Sequence, residues 1–214
     1  MYRWPSTPRP YLYGIMQIYG FRLGQSAHPK QKFTLEQLQD QFVQQLHSKS
    51  PVVAQSFIHS SACQSKSWRI TEFSRVPQPL RRMSKTIPYC EITVTDSEQA
   101  ILKGKFWAFD VLMKQWQQSF PILIHSRDID SWPCIMLDAP HCDTVPTIPM
   151  STPEDLRKCS ESVVELYGDV NLQAFILGRF GSKSVRWVAL LLLNEYSEYW
   201  ILKGICPWRC IDET

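Results

Sequence analysis

A chain of 214 residues, 44% hydrophobic and 20% charged, has the make-up of a globular protein and can bury a core without staples, so it is not read as disordered or fibrous. Glycine is scarce, at 8 against 15 prolines, and neither G-x-G-x-x-G nor G-x-x-x-x-G-K-[ST] occurs, which argues against a glycine-rich phosphate loop. The net charge of +3 is uneven: residues 1–107 hold 14 Lys and Arg against 6 Asp and Glu, and residues 108–214 hold 9 against 14, so the first half is expected to meet an anionic partner or the acidic second half.

Residues 1–10 read as an extended arm, because Pro5, Pro8 and Pro10 fix φ and remove amide donors. The opening MYRWPSTPRP has no apolar h-region, and seven cysteines is an odd number, so a reducing compartment with free thiols, cytoplasm or nucleus, is expected. Apolar runs are too short for a transmembrane segment. Tyr11–Leu23 reads as a strand, with Gly14 and Gly20 as bulges. Thr34–His47 is the clearest helix: Thr34 caps it, Gln37 completes a capping box, and Leu35, Leu38, Phe42, Val43 and Leu46 share a face. Val52–Ile58 and the alternating Trp68–Val76 are expected as strands, with Pro77 and Pro79 breaking the chain after them.

Tyr89–Thr95 and Ala100–Phe109 read as a hairpin that passes into a helix carrying Phe109, Leu112, Met113 and Trp116 on one stripe. Ser126–Met150, with four prolines, is an irregular loop and the place for a sub-domain boundary if residues 11–214 are not a single domain. Thr152-Pro153-Glu154-Asp155 starts a helix with Leu156, Cys159, Val163 and Leu166 buried and Gly168 as its cap. Leu172–Leu177 is a strand and Arg179–Lys183 a turn. Trp187–Leu193 and Tyr199–Leu202 then form a hairpin around Asn194–Glu198, and the first arm, apolar without alternation, is expected to be covered on both faces. The tail CPWRCIDET is expected to leave the core. Glu91–Gly104 and Leu191–Gly204 both end in Ile-Leu-Lys-Gly, which chance explains more simply than duplication. The sum is an α+β fold: a curved antiparallel sheet with two or three helices packed mainly on one face.

Four groups of residues bear on function. Lys66, Arg69, Arg75, Arg81, Arg82 and Lys85, with Trp68 and Phe73 among them and Glu72 the one acid, combine phosphate-neutralising charge with rings on which an unpaired base can stack. A solvated face is the plainer reading of the same residues. Cys134, His141, Cys142, Cys206 and Cys210 are metal-ligating types without the usual paired spacing; free cysteines are expected, with Cys206 and Cys210 the pair to test. His125-Ser126 with Asp128 and Asp130, and His141 with Asp143, hold acid–base groups without a nucleophile-elbow pattern. Tyr19, Phe21, Trp107, Phe109, Phe175 and Trp187 would line a pocket or fill a core.

The sequence therefore reads as a non-enzymatic interaction protein that contacts RNA or single-stranded DNA through Lys66–Lys85, ahead of a protein partner or an anionic membrane surface. No cofactor or metal is expected. The Trp and Cys content also suits a small viral accessory or matrix-type protein. The competing expectation is a small enzyme or carrier with an apolar pocket in the curved sheet.

Overall fold

Two glycines allow the sheet to close around its central hairpin. The computed structural model describes residues 23–24, 32–50, 52–61, 67–71, 73–77, 80, 86–95, 99–123, 133–139, 141, 150–168, 171–181, 186–194 and 199–209. Three long strands, β8 (Leu172–Phe180), β9 (Arg186–Asn194) and β10 (Trp200–Arg209), pair antiparallel in that order. The register slips once in β8, between Ile176 and Gly178, and once in β10, between Leu202 and Gly204. At Gly178 (φ +144°) a side chain would strike the Ile87 carbonyl of β3 (Thr86–Pro88); at Gly204 it would strike the Met136 carbonyl of β7 (Met136–Leu137). Each bulge thus leaves a glycine where a short outer strand crosses closely. The order is β3-β8-β9-β10-β7, and β6 (Phe106–Ala108) pairs with the other half of β8, opposite Gln173–Phe175.

Both faces of β9 are buried, as its unbroken apolar run requires. Ala189, Leu191 and Leu193 face α2 (Phe109–Leu123) and α3 (Pro153–Tyr167), with Trp116 at 1% exposure and Val163 at 0% among the residues closing that layer. Val188, Leu190 and Leu192 face the opposite way, onto Val52, Phe57, Ile58, Leu80 and Ile92 from the first half of the chain. That second cover includes β1 (Ile58–His59), which pairs with β2 (Ser74–Arg75), and the separate hairpin of β4 (Glu91–Val94) and β5 (Ala100–Lys103). The fold is α+β with an antiparallel sheet and three α-helices among the described residues, the third being α1 (Leu35–Lys49). None of the described helices is long and apolar enough to cross a membrane.

The helix starts form as their sequences dictate. The Gln37 amide donates to Thr34 Oγ1 at 3.2 Å and the Thr34 amide to Gln37 Oε1 at 2.9 Å. Thr152 and Asp155 repeat the arrangement at α3, with Pro153 at the first helical position and Gly168 (φ +74°) ending it.

Several expectations need correction. The first four residues of the tail, Cys206–Arg209, do not leave the core: β10 runs through Gly204 to Arg209, with Ile205 and Cys206 fully buried and Trp208 at 8% exposure, and Cys210–Thr214 lie outside the described residues. Pro207 is tolerated because its carbonyl still accepts from the Cys134 amide at 3.2 Å. Arg179 and Phe180 belong to β8 rather than to a turn. Val52–Ile58 holds a 3₁₀ turn (Val53–Gln55) and only Ile58 of it is strand, and only Ser74–Arg75 of Trp68–Val76 is strand. Leu166 is 37% exposed, outside the buried stripe of α3. The arm and Tyr11–Arg22 lie outside the described residues.

Replacing Gly178 by Ala forces β3 off β8 and is expected to cost about 2–4 kcal/mol in urea denaturation. Gly168→Ala at the open end of α3, where nothing lies within 4 Å of an added methyl, is expected to cost about 1 kcal/mol through its positive φ alone.

Candidate functional site

The segment 67–76 is fixed to the rest of the molecule by side-chain contacts and by the short β1–β2 ladder at Ser74–Arg75. Ser67 Oγ accepts the Leu202 amide of β10 at 3.1 Å. The Trp68 indole meets the His47 ring of α1 edge-on, 5.1 Å between centroids. Arg69 forms an ion pair with Asp40 of α1. Ile70 packs against the apolar residues beneath. The chain then turns: the Thr71 amide donates to Ser74 Oγ at 2.7 Å, and the Ser74 amide to the Thr71 carbonyl at 3.0 Å. The Phe73 carbonyl accepts both the Ser60 amide, at 2.8 Å, and the Ser60 hydroxyl, at 2.9 Å.

The turn presents Phe73 outward at 49% exposure, with Arg75 exposed and Val76 at 46%. The fold therefore divides the aromatic and basic residues singled out from sequence. Trp68 and Arg69 make internal contacts, and Phe73 and Arg75 face solvent. Lys66, Arg81, Arg82 and Lys85 lie outside the described residues.

Beneath the turn sits a pair that sequence reasoning passed over, His59 and Asp138, separated by 79 positions. His59 Nδ1 donates to Asp138 Oδ2 at 3.0 Å, and the His59 amide donates to Asp138 Oδ1 at 2.8 Å. The Ala139 amide returns a bond to the His59 carbonyl at 3.1 Å. His59 Nε2 donates to the Arg69 carbonyl at 3.1 Å. The Asp–His contact resembles that of a hydrolytic triad, but the nitrogen a triad turns toward its nucleophile is here bonded to a backbone carbonyl. With His59 at 1% exposure, the pair is a buried pin joining β1, the 67–71 segment and the turn that follows β7.

A second buried histidine supports Trp68. His47 Nδ1 donates to the Val43 carbonyl at 2.8 Å, and Nε2 accepts from the Gln55 side-chain amide at 2.9 Å. That pattern fits the neutral ring. Burial lowers its pKa below the usual value, the Val43 carbonyl works against that, and the Arg69 charge adds to the lowering.

The thiols are core residues. Cys134, Cys159 and Cys206 are buried thiols and Cys90 a half-buried one, none of the four in a disulfide. Burial pushes Cys159 and Cys90 up to about 11, and burial with the neighbouring Cys134 and Cys159 raises Cys206. Cys210 and Cys142 lie outside the described residues, and among those described no group of three or more His, Cys, Asp or Glu is placed to hold a metal. His141 packs edge-on against Tyr167 at 5.7 Å; its neighbour Asp143, with His125, Ser126, Asp128 and Asp130, falls outside the described residues. Phe109 and Phe175 are buried, and Trp107 and Trp187 pack against the helix-face core; Tyr19 and Phe21 are not described.

Comparison with protein-family models, curated proteins and solved structures returns no match. What the fold and site define is thus a class, an α+β protein carrying a tethered aromatic–basic turn.

Asp138→Ala strips the acceptor from two buried donors and is expected to cost about 3–5 kcal/mol in urea denaturation, against about 1–3 kcal/mol for Asp138→Asn. The folded state binds a proton at His47 less readily than the unfolded chain does. The stability His47 contributes is therefore present above about pH 6.5 and is lost as pH falls through its lowered value. Denaturation midpoints should drop over that range, and His47→Gln should flatten the drop.

Proposed function

We propose that the protein binds single-stranded nucleic acid, RNA or DNA, through the turn at residues 71–76 and the basic stretch Lys66–Lys85 around it. One observation carries the reading: Phe73 and Arg75 are exposed on a turn whose backbone is already bonded into place. A fixed aromatic ring offers a stacking platform at little ordering cost, and an adjacent guanidinium suits a backbone phosphate. The basic stretch holds six Lys and Arg against one acid, which favours an anionic partner over an uncharged one. Trp68 and Arg69 serve this surface indirectly, by holding its base to α1. The role is that of a non-enzymatic interaction protein of the cytoplasm or nucleus, and a viral accessory or matrix-type protein would suit the same reading.

Fluorescence anisotropy with a labelled single-stranded oligonucleotide, across a salt series, tests it. Phe73→Ala should weaken binding by about 5- to 100-fold, the range for loss of one stacked base. Arg75→Glu should weaken binding and flatten the salt dependence by about 0.7 per lost phosphate contact. Arg81→Glu with Arg82→Glu should abolish binding with little change in melting temperature. Wild-type affinity in all three variants overturns the proposal.

A further inference from the structure

The two buried histidines are bonded in different ways. His47 gives a proton to the Val43 carbonyl and accepts one from Gln55. His59 meets an acceptor at each ring nitrogen: Asp138 Oδ2 lies 3.0 Å from Nδ1, and the Arg69 carbonyl 3.1 Å from Nε2. A backbone carbonyl only accepts, so Nε2 carries a proton. Another proton must lie between Nδ1 and Oδ2, because two bare lone pairs at that distance repel. Whether it sits on the ring or on the carboxyl, the pair holds one proton more than a neutral imidazole beside a carboxylate.

Water has little access to relieve that bonding. The His59 side chain is 1% exposed and that of Asp138 9%, and the Phe57 ring lies edge-on to the imidazole, 5.1 Å between centroids. The surrounding elements carry Asp40 and His47 of α1, Arg69, Arg75 of β2, His141, and Lys203 of β10. Arg69 is paired with Asp40, Arg75 is exposed, and His141 and Lys203 both pack on Tyr167. Among the charged side chains of the described residues, that of Asp138 alone bonds to the His59 ring. The nearby cations oppose a positive ring; the carboxylate in direct contact favours it and, being closer, outweighs them.

Loss of one proton to water leaves Nδ1 and Oδ2 as opposed lone pairs in a dry setting, and the pair must part. Two pieces of chain meet at the pin and lead into the exposed turn. One is β1, where His59 lies opposite Ser74 of β2; the other is the 67–71 segment, held through the Arg69 carbonyl. We propose that the His59–Asp138 pair is a proton lock: with its extra proton at neutral pH it holds the turn at residues 71–76 in place, and release of that proton as the pH rises frees the turn. The locked form holds one proton more than the open form, so rising pH favours opening. The lock sets the order of the turn and stands whether or not the turn binds nucleic acid.

Nuclear magnetic resonance of the full chain, with labelled histidine rings and aspartate carboxyls, tests the proposal. At about pH 7.5 an unconstrained histidine holds mainly one ring proton. Two ring N–H groups on His59, or one beside a protonated Asp138 carboxyl, are the expected result; one ring N–H beside an ionised carboxylate overturns the lock. Asp138→Asn then separates the switch from the fold. Its amide N–H donates to a neutral Nδ1 while its oxygen keeps the His59 backbone amide, so the pin closes without the extra proton. Hydrogen-exchange protection of the Ser60 and Ser74 amides, both bonded within the turn, is read against that of the Leu191 amide in β9. Raising the pH to about 9.5, above the histidine range, should lower that protection in wild type by about 5- to 150-fold, the range for one buried polar group left unpaired, and by less than about twofold in Asp138→Asn. An equal fall in both proteins, or no fall in wild type, overturns the lock.

Discussion

The structure depends on covering one strand twice. β9 is apolar on both sides, and neither side can be left to water. Helices α2 and α3 cover one face; the chain from Val52 to Leu102 covers the other. The second cover has little regular structure of its own: a 3₁₀ turn, two strands of two residues and a small hairpin. It is held instead by individual bonds, chief among them the His59–Asp138 pin, whose donors and acceptors are fully engaged in a dry setting. The exposed turn at Phe73 is one end of this pinned layer, so its rigidity follows from the same requirement that covers the sheet.

The parts of the fold legible in the sequence were those set by local rules. Thr34 with Gln37, and Thr152 with Pro153 and Asp155, mark helix starts because the bonds they make span three residues. The switch from strand to helix at Phe109 and the two hairpins follow from apolar spacing and turn length. What escaped depends on distant residues. Lys203-Gly204 looks like the end of a strand, but Gly204 is where β7 crosses β10, which only the partner strand reveals. Pro207 looks like a terminator, but it lies in a strand that needs its carbonyl and not its missing N–H. Trp68–Val76 alternates like a strand, yet only Ser74–Arg75 pairs in a ladder, and the rest of its contacts go to α1, β10 and Ser60.

The same limit applied to the site. The basic stretch was visible as a run of charge, but not its division into inward and outward members. Asp40 turns Arg69 inward and His47 does the same for Trp68, and neither contact is implied by spacing within the stretch. Of the buried polar groups, His59 and Asp138 had no local signal at all.

The central functional claim is that a pinned aromatic–basic turn receives single-stranded nucleic acid. Photo-crosslinking to an oligonucleotide containing 4-thiouridine, followed by mass spectrometry of the digested protein, locates the contact without any substitution. Crosslinks concentrated on the peptide that contains Phe73 and Arg75 are the expected result. Crosslinks confined to peptides elsewhere, or none above a denatured control, would contradict the account.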